Sequence, residues 1–389
     1  MLPSPSGLAY ACTLLLPTLL CRAELPAQAA ASVEPVVHRE RVPNGGIQPQ
    51  LARGADGTLH LVYFTGDAAA GDLCYCRRGP NEIRFAPAIR VNSEPASAVA
   101  VGTIRGAQVA LGKDDCIHVV WNGSDRSLPR GPKGEAPVLY THLAAGGAFV
   151  PQRNVGGKVT NLDGGACIAA DRTGHVYVAW HAGESEETRR VWVARSDDGG
   201  ATFAAARAID KDRVGACACC GMYGFAAGDG EIQFLYRAAR DKVHRDIYLL
   251  ASADGTDWKS RKLDPWEGKT CPMSSAAIEH APGGDWAAWE TGAQVCFAQL
   301  GEKNRKGGAA SPPGEGNGRK HPRLAANAAG QVLLVWTEGT GWKRGGRLAW
   351  QLYDAVGIAL PTKGETDGIP MWSFAAAAAL PNGDFLVLH

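Results

Sequence analysis

Short stretches of alternating apolar and polar residues recur along the chain, each after a turn rich in Gly or Asp. The first three read ADGTLHLVY, KDDCIHVVW and DRTGHVYVAW. Alternation with a period of two predicts β-strands. The seven stretches end at Tyr63, Trp121, Trp180, Tyr236, Trp289, Trp336 and His389, at intervals of 58, 59, 56, 53, 47 and 53 residues. This regular spacing indicates a repeat architecture.

Each repeat predicts about four strands joined by hairpins, because further apolar stretches such as QPQLA and VWVARS flank the alternating one. A small sheet cannot bury both of its faces alone, so such sheets pack around a common axis. The pattern therefore predicts an all-β β-propeller of six to seven four-stranded blades. Seven are favoured, with the N-terminal PVVHRERV as the outer strand of the last blade. The polar residues 301–320 replace much of the outer strand of blade five.

Two similar segments, SDDGGATF at residues 196–203 and SADGTDW at residues 252–258, each follow a predicted third strand. In such a tight turn the Asp accepts hydrogen bonds from backbone N–H groups, and the Gly adopts an unusual backbone conformation. The aromatic residue anchors the turn in the core. These structural positions are Ser196, Asp198, Gly200, Phe203, Ser252, Asp254, Gly255 and Trp258.

The pattern S-x-D-x-G-x-T followed by an aromatic residue resembles the Asp box of the sialidase-like, or BNR-repeat, propellers. The resemblance extends over residues 33–389. It implies a propeller but no single reaction, because many chemistries share this fold. Sialidases, which the chain resembles, hold the substrate carboxylate with three Arg and use a Tyr nucleophile activated by a Glu, with an Asp as acid or base.

One end of the predicted propeller displays the starts of the inner strands and the loops after the second strands, and we call this end the inner-strand face. Acidic and basic side chains gathered there suit a polar ligand, because guanidinium groups bind carboxylates and paired carboxylates transfer protons. The candidate ligand-binding residues at this face are Gln50, Asp163, His181, Arg237, Glu290, His321 and Trp372.

The catalytic set of a sialidase is incomplete in this sequence. Where the family has Arg-Ile-Pro the chain has Ile47-Gln48-Pro49, and Trp372-Ser373 aligns with the family's Tyr-Ser. Trp cannot act as a nucleophile. As candidate catalytic residues, Arg105 and Arg323 replace the carboxylate-binding arginines, and Asp125 or Glu184 is the proton donor.

The cysteines support two interpretations. Five of them occupy equivalent positions in neighbouring repeats and are expected to lie close together: Cys167, Cys217, Cys219, Cys220 and Cys271. In an exported protein they would form disulfides. Alternatively, Cys217, Cys219, Cys220 and Cys271 form a thiolate site for Cu or Zn, although C-x-C-C is not a standard zinc spacing.

Charge and the N-terminus narrow the choice of partners and compartment. The chain has 40 Lys and Arg against 39 Asp and Glu, so no net field favours nucleic acid. The apolar segment GLAYACTLLLPTLLC and the small residues at Ala27 and Ala29 predict a signal peptide over residues 1–29, and hence a secreted or periplasmic protein. No later segment is typical of a membrane span.

Together these observations predict an exported sialidase-like propeller that recognises a carbohydrate or another polar ligand and requires no cofactor. If it is an enzyme, we expect a glycoside hydrolase of sialidase-like type. Two alternatives remain, a non-catalytic binding or assembly propeller and a metalloprotein centred on the cysteines. The sequence favours no oligomeric state.

Overall fold

The computed structural model describes residues 34–131, 133–159, 162, 164–301, 309–316 and 318–389, together with Met1 and Gly7. Apart from those two residues, the predicted signal peptide at residues 1–29 lies outside the described part of the chain, as does Asp163. Both therefore stay predictions. Among the described residues, no helix has the length and apolar character needed to cross a membrane.

The described residues form seven sheets, six of them antiparallel and one mixed, numbered here as blades in chain order. Two short 3-10 turns, Pro43–Gly45 and Lys113–Asp115, accompany them. Blade one contains β2 (Ile47–Arg53), β3 (Leu59–Asp67), β4 (Ala70–Arg78) and β5 (Ile89–Arg90). Blade two contains β6 (Gln108–Leu111), β7 (Ile117–Asn122), β8 (Val138–His142) and β9 (Arg153–Asn154). Blade three contains β10 (Cys167–Ala170), β11 (Val176–Ala182), β12 (Arg190–Ser196) and β13 (Arg207–Ala208).

The second half of the chain repeats this arrangement. Blade four contains β14 (Tyr223–Ala226), β15 (Ile232–Arg237), β16 (Ile247–Ser252) and β17 (Lys259–Asp264). Blade five contains β18 (Ala277–Ala281), β19 (Gly284–Thr291) and β20 (Gln294–Gln299). Blade six contains β21 (Arg319–Ala326), β22 (Val332–Glu338), β23 (Gly346–Tyr353) and β24 (Ala359–Ile369). Blade seven contains β25 (Ala376–Ala379), β26 (Phe385–Leu388) and the N-terminal β1 (Val37–Glu40).

The inner strands close into a ring, which makes the protein a β-propeller. Each inner strand contacts the inner strands of both neighbouring blades, in the order β2, β6, β10, β14, β18, β21, β25 and back to β2. The prediction of seven blades is thereby confirmed. Five blades have four strands in the described residues and two have three. In blade five, a single bridge between Phe297 and Ala310 replaces the fourth strand.

The first and last strands of the described residues pair in blade seven. Strand β1 pairs in parallel with β26, from Val37 beside Phe385 to Glu40 beside Leu388. The prediction that PVVHRERV supplies the outer strand is confirmed. Because β1 covers the free edge of β26, the blade presents less unpaired backbone to solvent.

Buried aromatic residues at the ends of the second strands fill the spaces between blades. Trp121, Trp180 and Trp289 are almost wholly buried. One apolar cluster joins Trp286 of blade five to Trp336 of blade six. Burial of each such side chain contributes about 1.5–3 kcal/mol, so the repeated aromatic residue stabilises the ring of blades.

The turns after β12 and β16 link each of these blades to the preceding one. In the first turn, Asp198 accepts a hydrogen bond from the backbone N–H of Thr202 over 2.8 Å. Gly200 has a φ of +83°, and a Cβ placed on it would lie 1.8 Å from the Tyr140 hydroxyl of blade two. Phe203 packs edge-on against the same Tyr140 ring, with centroids 4.8 Å apart.

The second turn has the same construction. Asp254 accepts the backbone N–H of Thr256 over 2.7 Å. Gly255 has a φ of +67°, and a Cβ on it would clash with Tyr177 of blade three. Trp258 is buried and stacks on Phe234, with centroids 5.3 Å apart. Both turns lie at the end of the propeller opposite the inner-strand face.

Candidate functional site

Unusual backbone conformations concentrate at the inner-strand face. Five residues other than Gly have left-handed φ values where the inner strands begin: Gln48 (53°), Thr103 (64°), Met273 (52°), His321 (52°) and Trp372 (63°). Such conformations cost free energy and cluster at functional sites. Their recurrence in blades one, two, five, six and seven marks this face as the candidate site.

Side chains at this face connect neighbouring blades. The Gln48 amide donates hydrogen bonds to the carbonyl oxygens of Ala100 and Trp372, each over 2.7 Å, and so joins blades one, two and seven. The backbone N–H of His321 donates to the Ser274 hydroxyl over 2.9 Å. In the other direction, Nδ1 of His321 accepts the backbone N–H of Ser275 over 3.3 Å. Burial lowers the pKa of His321 to about 3, so the imidazole is neutral at pH 7.

A narrow cleft opens at this face beside blades six and seven, and we call it the tryptophan cleft. Its walls include Trp342, which is 56% exposed, and the largely buried Trp372. The two indole rings pack edge to face, with centroids 4.7 Å apart. Lys320 and Arg344 also line the cleft, and no acidic residue is among its described lining residues. The remaining lining residues are Thr103, Met273, His321, Thr340, Gly341 and Ser373.

The structure places the two predicted catalytic arginines differently. Arg323 is buried, stacks over the Phe374 ring at 4.6 Å, and donates from Nη1 to the Ser275 hydroxyl and the Ala276 carbonyl, both over 3.1 Å. Burial lowers its pKa to about 10. Its Nε and Nη2 have no partner in the described part of the chain. Arg105 is half-buried just before β6. Carboxylate binding by either residue stays a prediction.

The two predicted proton donors lie at the periphery. Asp125 is fully exposed in the loop after β7 and forms an ion pair with Arg130 over 3.5 Å. Glu184 is exposed in the loop after β11. Neither carboxylate lines the tryptophan cleft. The structure therefore does not bring them together with the ligand-binding candidates His321 and Trp372.

Arg237 and Glu290, two predicted ligand-binding residues, form a buried ion pair between blades four and five. Arg237 Nη2 lies 3.7 Å from Glu290 Oε2 and also donates to the Glu290 backbone carbonyl. Its guanidinium lies 5.0 Å from the Trp266 ring centroid. Burial raises the pKa of Glu290 to about 7, although Arg237 opposes this shift. A carboxyl group that titrates near neutral pH can donate or accept a proton.

Two further ligand-binding candidates, Gln50 and His181, are also buried. Gln50 is buried on β2. His181 is buried at the end of β11, with its Nε2 3.5 Å from the carbonyl oxygen of Cys220. His181 therefore contacts the cysteine-containing segment and not the tryptophan cleft.

Three of the predicted cysteines meet between blades four and five, and we call Cys217, Cys220 and Cys271 the thiol cluster. Their sulfur atoms all lie within 4.8 Å of one another. The Sγ of Cys271 is 3.1 Å from that of Cys217 and 3.8 Å from that of Cys220. The Cys219 thiol interacts with the thiols of Cys217 and Cys271. The expectation that these cysteines lie close together thus holds for Cys217, Cys220 and Cys271.

Cys167 does not join these residues. It is buried on β10 in an apolar cluster with Tyr236 and Trp258. Burial raises the pKa of its thiol. The cysteines of the described residues are all free, and no pair lies at disulfide distance: Cys74, Cys76, Cys116, Cys167, Cys217, Cys219, Cys220, Cys271 and Cys296. The structure thus gives no support to the predicted disulfides.

Two charged residues beside the thiol cluster were not predicted from the sequence. Arg245 Nη1 donates to the Cys217 sulfur over 3.2 Å, and its Nη2 binds Glu186 Oε2 over 2.9 Å. Glu186 also accepts the backbone N–H of Ala218 over 3.3 Å. Sequence reasoning chose Glu184, two residues away in the same loop. Nothing in the sequence distinguishes the two acids, because the loop conformation decides which one faces Arg245.

No protein-family model and no curated protein matches the chain. Several solved structures do. An ulvan lyase of family PL25 bound to -[GlcA(1-4)Rha3S]- shares 12% identity over 86% of this chain and 88% of that one, with a TM-score of 0.51. The Hadza microbial sialidase Hz136 shares 16% identity over 81% and 70% of the two chains, with a TM-score of 0.47. The Penicillium chrysogenum alpha-L-arabinanase shares 12% identity over 81% and 95%, with a TM-score of 0.49. At these identities the likenesses concern the fold alone, which in this chain is a seven-bladed β-propeller.

Proposed function

We propose that the protein binds an acidic carbohydrate at the tryptophan cleft of its inner-strand face. The observation that carries the proposal is the pair of Trp342 and Trp372 beside the cationic side chains of Lys320 and Arg344. Trp342 is among the few large apolar side chains that are more than half exposed. An exposed aromatic residue in a polar cleft is typical of a ligand contact.

The chemistry of the cleft selects the ligand class. The exposed indole ring of Trp342 can pack against the apolar C–H face of a sugar ring, while ammonium and guanidinium groups bind carboxylate or sulfate. Because the described lining contains no acidic residue, an anionic sugar meets no repulsion there. The ulvan lyase that shares this fold is bound to a saccharide that contains GlcA. That likeness agrees with the proposal.

Recognition is better supported than hydrolysis. Most glycosidases require two carboxyl groups that flank the scissile bond. Asp125 and Glu184 do not line the cleft, and Glu290 is paired with Arg237 beside the thiol cluster. Catalytic roles for Asp125, Glu184, Arg105 and Arg323 stay predictions. The proposal includes the predicted export, which would bring the protein into contact with extracellular polysaccharides.

Calorimetric titration tests the proposal, with an oligogalacturonate as the acidic probe and a neutral galacto-oligosaccharide of equal length beside it. We expect the acidic probe to bind more tightly, and Trp342→Ala to weaken its binding at least tenfold. Val356→Ala is the matched control, because Val356 is 75% exposed in the turn between β23 and β24, at the opposite end of the propeller. Equal binding of the acidic probe by Trp342→Ala and the wild type would refute the proposal.

A further inference from the structure

The three sulfur atoms of the thiol cluster lie close to one another. Cys217 Sγ and Cys271 Sγ lie 3.1 Å apart, and Cys220 Sγ lies 3.8 Å from Cys271 Sγ. A disulfide would require about 2.05 Å between sulfur atoms. Thiolates around a tetrahedral zinc ion, each at about 2.3 Å from the metal, lie about 3.8 Å apart. The separation of Cys220 and Cys271 matches this value, that of Cys217 and Cys271 is shorter, and all three sulfur atoms lie within 4.8 Å of one another, within reach of one metal ion.

A guanidinium group lies against the cluster at Cys217. Arg245 donates a hydrogen bond to Cys217 Sγ over 3.2 Å. Glu186 fixes the orientation of Arg245 through a second contact, between Nη1 and Oε1, over 3.4 Å. A thiolate is the form of cysteine that binds metals, and adjacent guanidinium groups stabilise it.

The backbone holds the three sulfurs in place from both sides. The N–H of Cys217 donates to the Arg237 carbonyl over 2.9 Å, within blade four. The N–H of Gly221, directly after Cys220, donates to the Ser274 carbonyl of blade five over 3.0 Å. The segments that carry Cys217, Cys220 and Cys271 are thus joined by hydrogen bonds independent of any metal. A site preorganised in this way loses little conformational entropy when it binds an ion.

An ion can reach the cluster from solvent. Cys217 and Cys220 are buried, whereas Cys271 and Cys219 are partly exposed at the inner-strand face. The buried pair therefore forms the floor of the site, and Cys271 and Cys219 form its entrance. This arrangement suits an ion that binds to the folded protein.

We propose that Cys217, Cys220 and Cys271 bind one thiophilic cation, Cu(I) or Zn²⁺, with Cys219 as an additional thiolate ligand. Each ligand exchanges its S–H bond for an S–metal bond, and the protons pass to solvent. No oxidation or reduction takes place. Soft sulfur ligands select Cu(I) and Zn²⁺ over Ca²⁺, Mg²⁺ or Mn²⁺, which prefer oxygen. The carboxylate of Glu186 is bound by Arg245.

The test uses the full chain, reduced and freed of metal under anaerobic conditions. It is titrated with Cu(I) against a chromophoric Cu(I) chelator and, separately, with Zn²⁺ against a chromophoric zinc chelator. We expect the protein to remove one equivalent of at least one of the two ions from its chelator. Elemental analysis of the protein as isolated identifies which ion occupies the site.

Cysteine variants assign the site. We expect Cys217→Ser and Cys271→Ser each to weaken metal binding at least a hundredfold. Cys296→Ser is the matched control, because Cys296 is also half-buried in blade five but contacts Ser311 and not the thiol cluster. Circular dichroism establishes that each variant is folded, and a variant that unfolds is replaced by Cys220→Ala.

Two results would overturn the proposal. The first is the absence of stoichiometric binding of either ion by the reduced protein, above all if peptide mapping links Cys217 to Cys271 as a disulfide. The second is metal binding that Cys217→Ser and Cys271→Ser leave unchanged. Saccharide binding at the tryptophan cleft is measured separately, so neither result bears on the proposed function.

Discussion

Arg245 donates a hydrogen bond to the sulfur of Cys217 over 3.2 Å, while the same guanidinium binds Glu186 through two contacts. Glu186 belongs to the loop after β11 in blade three, whereas Arg245 precedes β16 in blade four. This relationship ties the thiol cluster to the packing between blades. The ion pair of Arg245 and Glu186 therefore contributes to the packing between blades three and four, and it also positions the guanidinium beside the Cys217 sulfur.

Replacement of the acid tests that dependence. In Glu186→Ala the Arg245 side chain, which is 6% exposed, loses its carboxylate partner. We expect the free energy of unfolding to fall by about 3 kcal/mol, because a buried charge without its partner is costly. Denaturant unfolding measures the loss. Glu187→Ala is the control, since Glu187 is exposed in the same loop, and its change should stay within about 0.5 kcal/mol. Equal stability of the two variants would show that the pair contributes nothing.

The turn after β12 offers a second test, which separates backbone strain from steric contact. Gly199 and Gly200 both have a positive φ, but a Cβ on Gly199 meets nothing within 4 Å, whereas one on Gly200 meets the Tyr140 hydroxyl. We expect Gly199→Ala to cost about 1 kcal/mol of unfolding free energy, from backbone conformation alone. Gly200→Ala should cost about 1–3 kcal/mol more, because Tyr140 must move.

Thermal or denaturant unfolding of the two glycine variants provides the comparison. In the double variant Gly200→Ala with Tyr140→Phe, the losses should be less than additive, since the clashing hydroxyl is absent. Full additivity would mean that Tyr140 plays no part in the cost.

The fold is predictable from sequence because its determinants are local. Each strand shows its alternation in a few residues, and each blade repeats the buried aromatic residue of the one before, as Trp121 and Trp180 illustrate. The closure of blade seven follows from counting repeats. These features require no knowledge of how distant loops fold, so the repeat pattern alone is enough to favour seven blades.

The site is less predictable because its contacts depend on loop conformation. The chain brings Cys217, Cys220 and Cys271 together, as repeat position indicated, but Cys167 lies on strand β10 within the apolar core. Arg323 belongs to the inner-strand start, yet burial directs its Nη1 to Ser275. Repeat position identifies the face on which a residue lies but not the direction of its side chain.

The buried carboxyl group of Glu290 predicts a pH-dependent stability. Burial raises its pKa to about 7 from an ordinary value of 4.5. Between these pH values the folded protein binds more protons at this site than the unfolded chain does, so the free energy of unfolding should decrease as the pH rises from about 4.5 to 7. Asp210, whose pKa burial raises to about 6, acts in the same direction.

Denaturant unfolding across this pH window isolates the contribution of Glu290. In Glu290→Gln the decrease should be smaller than in the wild type, by at most about 3 kcal/mol across the window. Glu94→Gln, at an exposed position, should keep the wild-type slope. If Glu290→Gln and the wild type have the same slope, then Glu290 is ionised throughout this range.

The cations of the tryptophan cleft predict how saccharide binding depends on salt. Lys320 and Arg344 both line the cleft, so the double variant Lys320→Gln with Arg344→Gln should lose about tenfold or more in affinity for an oligogalacturonate. The affinity of the wild type should fall as salt concentration rises, and that of the variant should fall less, because screening acts on charges that the variant lacks. Titration calorimetry at two salt concentrations measures both effects. Lys343→Gln is the matched control, since Lys343 is exposed on the same loop but does not line the cleft. An equal salt dependence of the double variant and the wild type would place the anionic groups of the ligand elsewhere on the protein.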